Sequence, residues 1–216
     1  FTLKEVSTSF VCQELLRLTS TKTTGLDNIP AKLLKDAAPI IAKPIAHLIN
    51  RKILTEKIPF QWKEAKVIPI FKAGKRSDEN NYRPTLVLPT ASKIMERAVQ
   101  VQLLKCLTDL NILSIYQAGF WKKHSTETAV VYLADYILEQ MDKQKLTGAA
   151  FIDLKKAFDL VNHRCLLHKL EHYGVREQSL NWFENYLTTR SQRVQYGQGL
   201  SSSPFIWILV SHRAPY

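Results

Sequence analysis

Apolar residues recur at helical spacing near the start of the chain, where Val11, Leu15, Leu16 and Leu18 outline an amphipathic helix. A polar Ser/Thr/Lys segment then runs to a turn at Thr24-Gly25-Leu26-Asp27, and a second helix is predicted from Pro30-Ala31-Lys32, where proline suits the first turn. Pro39 and Pro44 are expected to break or restart it. From Trp62 the pattern shortens. Ala65 to Lys72 is a short apolar run between lysines, read as a strand, and Gly74 to Asn81 is a turn-forming loop before Tyr82-Arg83-Pro84 and Leu86-Val87-Leu88-Pro89. A long helix is predicted from Ser92, taken as its N-cap, with Met95, Val99, Leu103, Cys106 and Leu110 on one face. Another starts at Ser125-Thr126, turns Val130, Ala134, Ile137 and Met141 toward a core, and ends before Gly148. Phe151-Ile152-Asp153-Leu154 reads as a buried strand ending on an acid. Helices follow near His163–Tyr173, closed by Gly174, and Glu177–Thr189, and a strand near Arg193–Tyr196. Strands separated by helices predict a mixed α/β or α+β fold.

Composition narrows the class. Over 216 residues, 45% hydrophobic and 23% charged residues with 7 Gly and 9 Pro exclude a disordered or collagen-like chain. No apolar run reaches the ~18–20 residues of a membrane helix. Cys12, Cys106 and Cys165 are odd in number and form no C-x-x-C pair, so neither a disulfide framework nor a cysteine zinc site is indicated, and a reducing compartment is the natural setting. Thirty Lys+Arg against nineteen Asp+Glu give a net charge of +11, which favours a polyanionic partner through counterion release. Phe1 stands where an initiator Met or signal peptide would begin, so the chain reads as part of a longer one; the reducing setting indicated by the cysteines gives the expectation of an intracellular protein, in cytoplasm or nucleus and not secreted.

The candidate chemistry lies at Asp153. A carboxylate emerging from an apolar strand is costly to bury unpaired, and a hard cation such as Mg²⁺ would neutralise it. An acid in that place serves as readily as a helix cap or a salt-bridge partner, and the residues alone leave the choice open.

Five segments in order point further. FIDLKKAFDLVNH (151–163) resembles the first palm motif of reverse transcriptases of non-LTR, LINE-type retrotransposons. TGLDNIPAKLLKDAAPIIAKPIAHLIN (24–50) resembles the segment preceding their polymerase core, and WKEAKVIPIFKAGKRSDENNYRP (62–84) their fingers motif. LSIYQAGFWKKHSTETAV (113–130) and YGVREQSLNWFENYLTTRSQRVQYG (173–197) are similar to the motifs on either side of the first palm segment. The resemblance implies an α+β, helix-rich right-hand polymerase with fingers, partial palm and an incomplete antiparallel palm sheet. The implied divisions are 1–56 as an N-terminal helical extension, 57–147 as fingers, 148–200 as partial palm and 201–216 as an aberrant tail.

The implied chemistry is two-metal nucleotidyl transfer, with Mg²⁺ or Mn²⁺ as cofactor and an RNA template, DNA primer and deoxynucleoside triphosphates as partners. Asp153 would be the catalytic carboxylate and metal ligand, helped by the carbonyl of Leu154. Lys66, Lys72 and Arg83 match triphosphate-contacting positions, though a solvated basic face would carry the same residues. Phe158 falls where the family carries an aromatic that excludes a ribose 2′-hydroxyl, and core packing would use the same ring. Lys75, Arg76, Tyr82, Lys122 and Lys123 would touch nucleic acid, and Phe71, Tyr82, Phe120 and Trp121 could stack on template bases. Between Lys57 and Arg97 nine Lys/Arg stand against four Asp/Glu.

Three departures accompany the likeness. Trp121 follows Gly119-Phe120 where the family has Arg, and Thr85-Leu86 follows Pro84 where it has Ile-Ser. After Gly197 the family's Gly-Val-Pro-Gln-Gly motif and its paired aspartates do not appear, and no Asp-Asp pair occurs anywhere in the sequence. The expectation is therefore a partial polymerase that binds metal weakly, is inactive alone and is prone to aggregate through the unpaired 151–152 edge. The alternative is a non-catalytic basic nucleic-acid-binding remnant. An aspartyl phosphotransferase is disfavoured because the position two residues after Asp153 is Lys155.

Overall fold

The computed structural model describes residues 1–19, 24–120, 124–154, 157–158, 160–196, 199–200 and 205–207. They form eight α-helices and five strands among the described residues, divided into two compact units, 1–104 with 163–216 and 105–162.

The first unit opens with α1 (Thr8–Leu16), whose N-cap Ser7 accepts a hydrogen bond from the Phe10 N–H at 3.1 Å. Helix α2 (Ala31–Asp36) follows Pro30, and α3 (Ala38–Thr55) restarts the chain with Pro39 in its first turn. Pro44, expected to break the helix, lies inside α3 without ending it. The carbonyl that Pro44 cannot serve belongs to Ile40, on the exposed face, where it is open to solvent. Ala38, Ala42 and Ala46 recur every fourth residue on the buried face, so α1 packs closely there through Val11 and Leu15, and Ile49 and Ile53 extend the same stripe.

A short helix, α4 (Phe60–Lys63), leads into β1 (Glu64–Phe71). β1 pairs antiparallel with β2 (Tyr82–Val87) and parallel with β3 (Arg190–Tyr196). β4 (Gly199–Leu200) and β5 (Phe205–Trp207) each pair antiparallel with β3, so the sheet is mixed rather than purely antiparallel. In the β1–β2 loop Gly74 takes φ +91°, and a Cβ there would sit 2.7 Å from the Asn81 side-chain amide; glycine alone fits.

Helix α5 runs from Thr90 to Asp109. It begins two residues before the expected N-cap. Ser92 is fully buried inside the helix, and its hydroxyl donates to the Trp62 carbonyl at 3.0 Å, tying α5 to α4 instead of capping. Ile94, Met95 and Val99 join the core beside Leu170 of α7 (His163–His172) and Trp182 and Phe183 of α8 (Glu177–Leu187). Gly174 closes α7 as expected, at φ +87°, with the Val175 N–H bonded to the Leu170 carbonyl at 2.9 Å.

In the second unit α6 (Thr126–Asp142) starts where expected, with a capping box between Ser125 and Thr128. Its anticipated core stripe is not buried: no residue of α6 is, and Val130 and Met141 are exposed. The predicted strand at 151–154 is absent too, and Phe151 and Ile152 are 86% and 84% exposed. Both corrections share one cause. Among the described residues of 105–162 there is no strand to pair with the run and no second full helix to cover α6.

Trp182, only 1% exposed and stacked on Tyr186 with ring centroids 5.3 Å apart, is the largest fully buried side chain among the described residues. Trp182→Ala is expected to cost about 3–5 kcal/mol in urea unfolding. Val130→Ala on exposed α6 is expected to change it by less than about 0.5 kcal/mol. Equal losses at the two sites would contradict this placement of the core.

Candidate functional site

Strand alternation decides what the β1–β2 hairpin presents. Directly opposed residues share a face, and the register pairs Lys66 with Val87, Ile68 with Thr85 and Ile70 with Arg83. The Lys72 N–H donates to the Asn81 carbonyl at 2.8 Å, extending the ladder one residue, so alternation puts Lys72 on that face as well. Lys66, Lys72 and Arg83 thus form a row on one face. At ~3.3 Å per residue the row spans roughly 20 Å from Lys66 to Lys72, with Lys72 and Arg83 near the hairpin tip and Lys66 at its base.

The base differs from the tip in burial. Lys72 and Arg83 are exposed, whereas Lys66 is 8% exposed. No described side chain or carbonyl accepts a hydrogen bond from Lys66. On β3 the parallel register sets Arg193 beside Lys66 and Ser191 beside Glu64. The Arg193 Nε donates to Glu64 Oε1 at 2.6 Å. That contact puts Glu64, Lys66 and Arg193 on a common face.

The opposite face belongs to aromatics. Phe71 and Tyr82 meet edge to face with centroids 5.4 Å apart, the Arg76 guanidinium lies 5.2 Å over Phe71, and the Tyr82 hydroxyl donates to the Arg76 carbonyl at 2.9 Å. Tyr82 and Arg76 therefore brace the loop against each other. Lys75 is exposed, and its carbonyl accepts from the Asn81 amide at 2.9 Å.

Below the hairpin stands Lys63, a residue not singled out by any motif. It is buried, and its ammonium donates to the Asn185 carbonyl, to the Thr188 carbonyl at 3.4 Å and to the Thr189 hydroxyl at 3.2 Å. Burial, and then the Arg190 charge, hold its pKa below the ordinary lysine value. It satisfies carbonyls at the end of α8 and steadies Thr189, a β-branched residue at φ +52°. Nearby, the Tyr186 hydroxyl donates to Glu96 at 2.8 Å and Arg190 lies 4.7 Å over its ring. Burial, followed by the Glu96 charge, pushes the Tyr186 phenol well above its usual range. Lys63 looks locally like Lys57 or Lys66. The sole clue was its place next to Trp62 at the start of a strand.

In the second unit Asp153 and Leu154 lie on the exposed irregular segment. Phe158 is 77% exposed and meets Phe120 edge to face at 5.9 Å, with Phe120 at φ +62°. Lys122, Lys123 and Trp121 lie outside the described residues, as does Asp159. Magnesium asks for six oxygens in near-ideal octahedral geometry. Asp153 and the Leu154 carbonyl supply two kinds of donor, and no group of three His, Cys, Asp or Glu side chains among the described residues could complete a site. These residues alone do not fit a two-ion centre.

Comparison with known proteins gives a consistent result. The family model described as reverse transcriptase (RNA-dependent DNA polymerase) matches residues 70–215. The chain is 30% identical over 228 residues to a probable RNA-directed DNA polymerase from transposon BS of Drosophila melanogaster, covering 99% of this chain and 25% of that protein. It is 36% identical over 145 residues to the RNA-directed DNA polymerase from mobile element jockey of the same species, covering 67% of this chain and 16% of the relative. A probable RNA-directed DNA polymerase from transposon X-element, also of Drosophila melanogaster, is 26% identical over 219 residues, covering 95% and 24%. The chain spans a quarter or less of the length of these relatives.

Lys63→Met keeps the stem and deletes the ammonium that serves three oxygens. It is expected to lower stability by about 1–3 kcal/mol in chemical denaturation. Lys57→Met, at an exposed position, should leave the midpoint unchanged.

Proposed function

We propose that this chain, which belongs to the reverse transcriptase (RNA-dependent DNA polymerase) family, contributes the phosphate-gripping part of a non-LTR retrotransposon RNA-directed DNA polymerase. The observation that carries the reading is Lys66. The residue is 8% exposed, no described group accepts a hydrogen bond from its ammonium, and it shares a sheet face with Arg83 and Lys72. A cation that no protein acceptor engages is available to an anion. Phosphate oxygens, from a deoxynucleoside triphosphate or an RNA template, are the anions such a polymerase handles.

The residues take distinct parts. Lys72 and Arg83 at the hairpin tip offer a point charge and a planar fork to successive phosphate oxygens. Lys75 adds charge at the loop, while Arg76 and Tyr82 keep the loop in shape and lend it their backbone. By the family reading Asp153 would be one carboxylate of a divalent-ion site that needs further acids to hold the metal, with the Leu154 carbonyl beside it, and Phe158 would exclude a 2′-hydroxyl from the sugar site. The divisions into extension, fingers, partial palm and tail follow the same reading. Divalent metal comes with the family, but with a single carboxylate of the required kind and no Asp-Asp pair in the sequence, this chain on its own does not extend a primer. The positive row and the net charge of +11 equally favour the second reading, RNA binding without turnover.

Two measurements on the purified chain test this. Primer extension on an RNA template with Mg²⁺ should give no product, and Asp153-dependent synthesis would refute inactivity alone. RNA binding by fluorescence anisotropy should weaken as salt rises. Lys66→Ala and Arg83→Ala should each flatten the log–log salt dependence by about 0.7, the share of one phosphate contact on a single strand. Unchanged slopes in both variants would overturn the phosphate-gripping role.

A further inference from the structure

We infer that Arg193 is an additional phosphate-contacting residue, positioned for that task by Glu64, and that it acts with Lys66 as a second cation pair on the hairpin face. The inference rests on the phosphate-gripping reading of Lys66.

Four observations support it. The parallel register puts Arg193 directly beside Lys66. The Glu64 contact at 2.6 Å independently sets the guanidinium on the Lys66 side of the sheet. The bond uses Nε, which leaves the two terminal nitrogens of the fork, and the Arg193 side chain keeps 35% of its surface open while Glu64 keeps 12%. Glu64 neutralises Arg193 rather than Lys66, so the base of the face holds two cations to one carboxylate. A planar fork and a point charge side by side form a bidentate-plus-single anion grip. The tip repeats that composition, with Arg83 and Lys72. The two pairs stand at opposite ends of the row.

Glu64 is a positioning residue here, because it touches Arg193 and not the ligand. Its role makes a prediction that simple charge counting reverses. Glu64→Gln raises the net positive charge by one and on Coulomb grounds alone would tighten binding to any polyanion. If Glu64 aims Arg193, the same change loosens the fork and weakens binding.

The test uses the full chain with two probes, a fluorescent deoxynucleoside triphosphate and a fluorescent single-stranded RNA, each titrated over a range of salt. Arg193→Gln is expected to weaken binding of one or both probes by about tenfold, the usual scale of a hydrogen bond to a charged group. Glu64→Gln should weaken binding of the same probe by a smaller factor. Arg193→Lys keeps the charge without the fork and should fall between wild type and Arg193→Gln; it also serves if Arg193→Gln fails to fold, as judged by thermal melting. Loss with the triphosphate alone assigns Arg193 to the nucleotide, and loss with RNA alone assigns it to the template backbone. The inference is overturned if Arg193→Gln binds both probes like wild type while Lys66→Ala binds more weakly, or if Glu64→Gln binds more tightly. If Lys66→Ala also binds normally, the underlying reading falls with it.

Discussion

The hydrogen bonding of β1 on both of its edges is the constraint from which the rest of the first unit follows. An antiparallel partner on one side and a parallel partner on the other leave β1 no freedom to slip, because a one-residue shift would reverse every side chain. With register fixed, alternation alone sends Lys66 and its neighbours to one face and Val67 and Phe71 to the other. The hairpin is then held at its base by helical elements. Lys63 ties the start of β1 to the end of α8, and Ser92 ties α4 to α5. The charged row is presented by a braced strand, not by a flexible loop.

Electrostatics along that strand are uneven, and the unevenness carries meaning. Lys63 and Lys66 are the two buried lysines among the described residues. The first has three protein oxygens around its ammonium and is accounted for by structure. The second has none, although it stands three residues away with much the same local sequence. Their contrast separates an anchoring cation from one that no protein oxygen engages, a distinction that net charge cannot make.

Much of the first unit was legible in the sequence because its signals are local. The apolar run between Ala65 and Lys72 announced β1, Pro30 and Pro39 marked helix starts, and Gly174 marked a helix end. Lys66 and Lys72 share a face by period two once the strand is granted, whereas Arg83 joins them only through the β1–β2 register. What stayed hidden depends on partners distant in sequence. Arg193 and Glu64 are 129 positions apart, and Lys63 meets its acceptors more than 120 positions away. Ser92 resembled a cap because serine so often is one; its real partner is a carbonyl thirty residues upstream. In the second unit the periodicity of α6 and the apolar run at 151–154 were read as signs of burial. Patterning states which side needs covering, but it does not supply the cover.

The parallel union of β1 with β3 sets a timetable for the nascent chain. Strand β1 and its hairpin partner leave the ribosome more than a hundred residues before β3 does, at a rate of about 5–20 residues per second. For several seconds β1 has one satisfied edge and one open edge, the state in which foreign strands can dock. The open edge includes Lys66, and lysines border the run at Lys63 and Lys72. Cations there would repel a second copy of the same strand. The charges displayed on the finished sheet would thus first keep newborn chains apart.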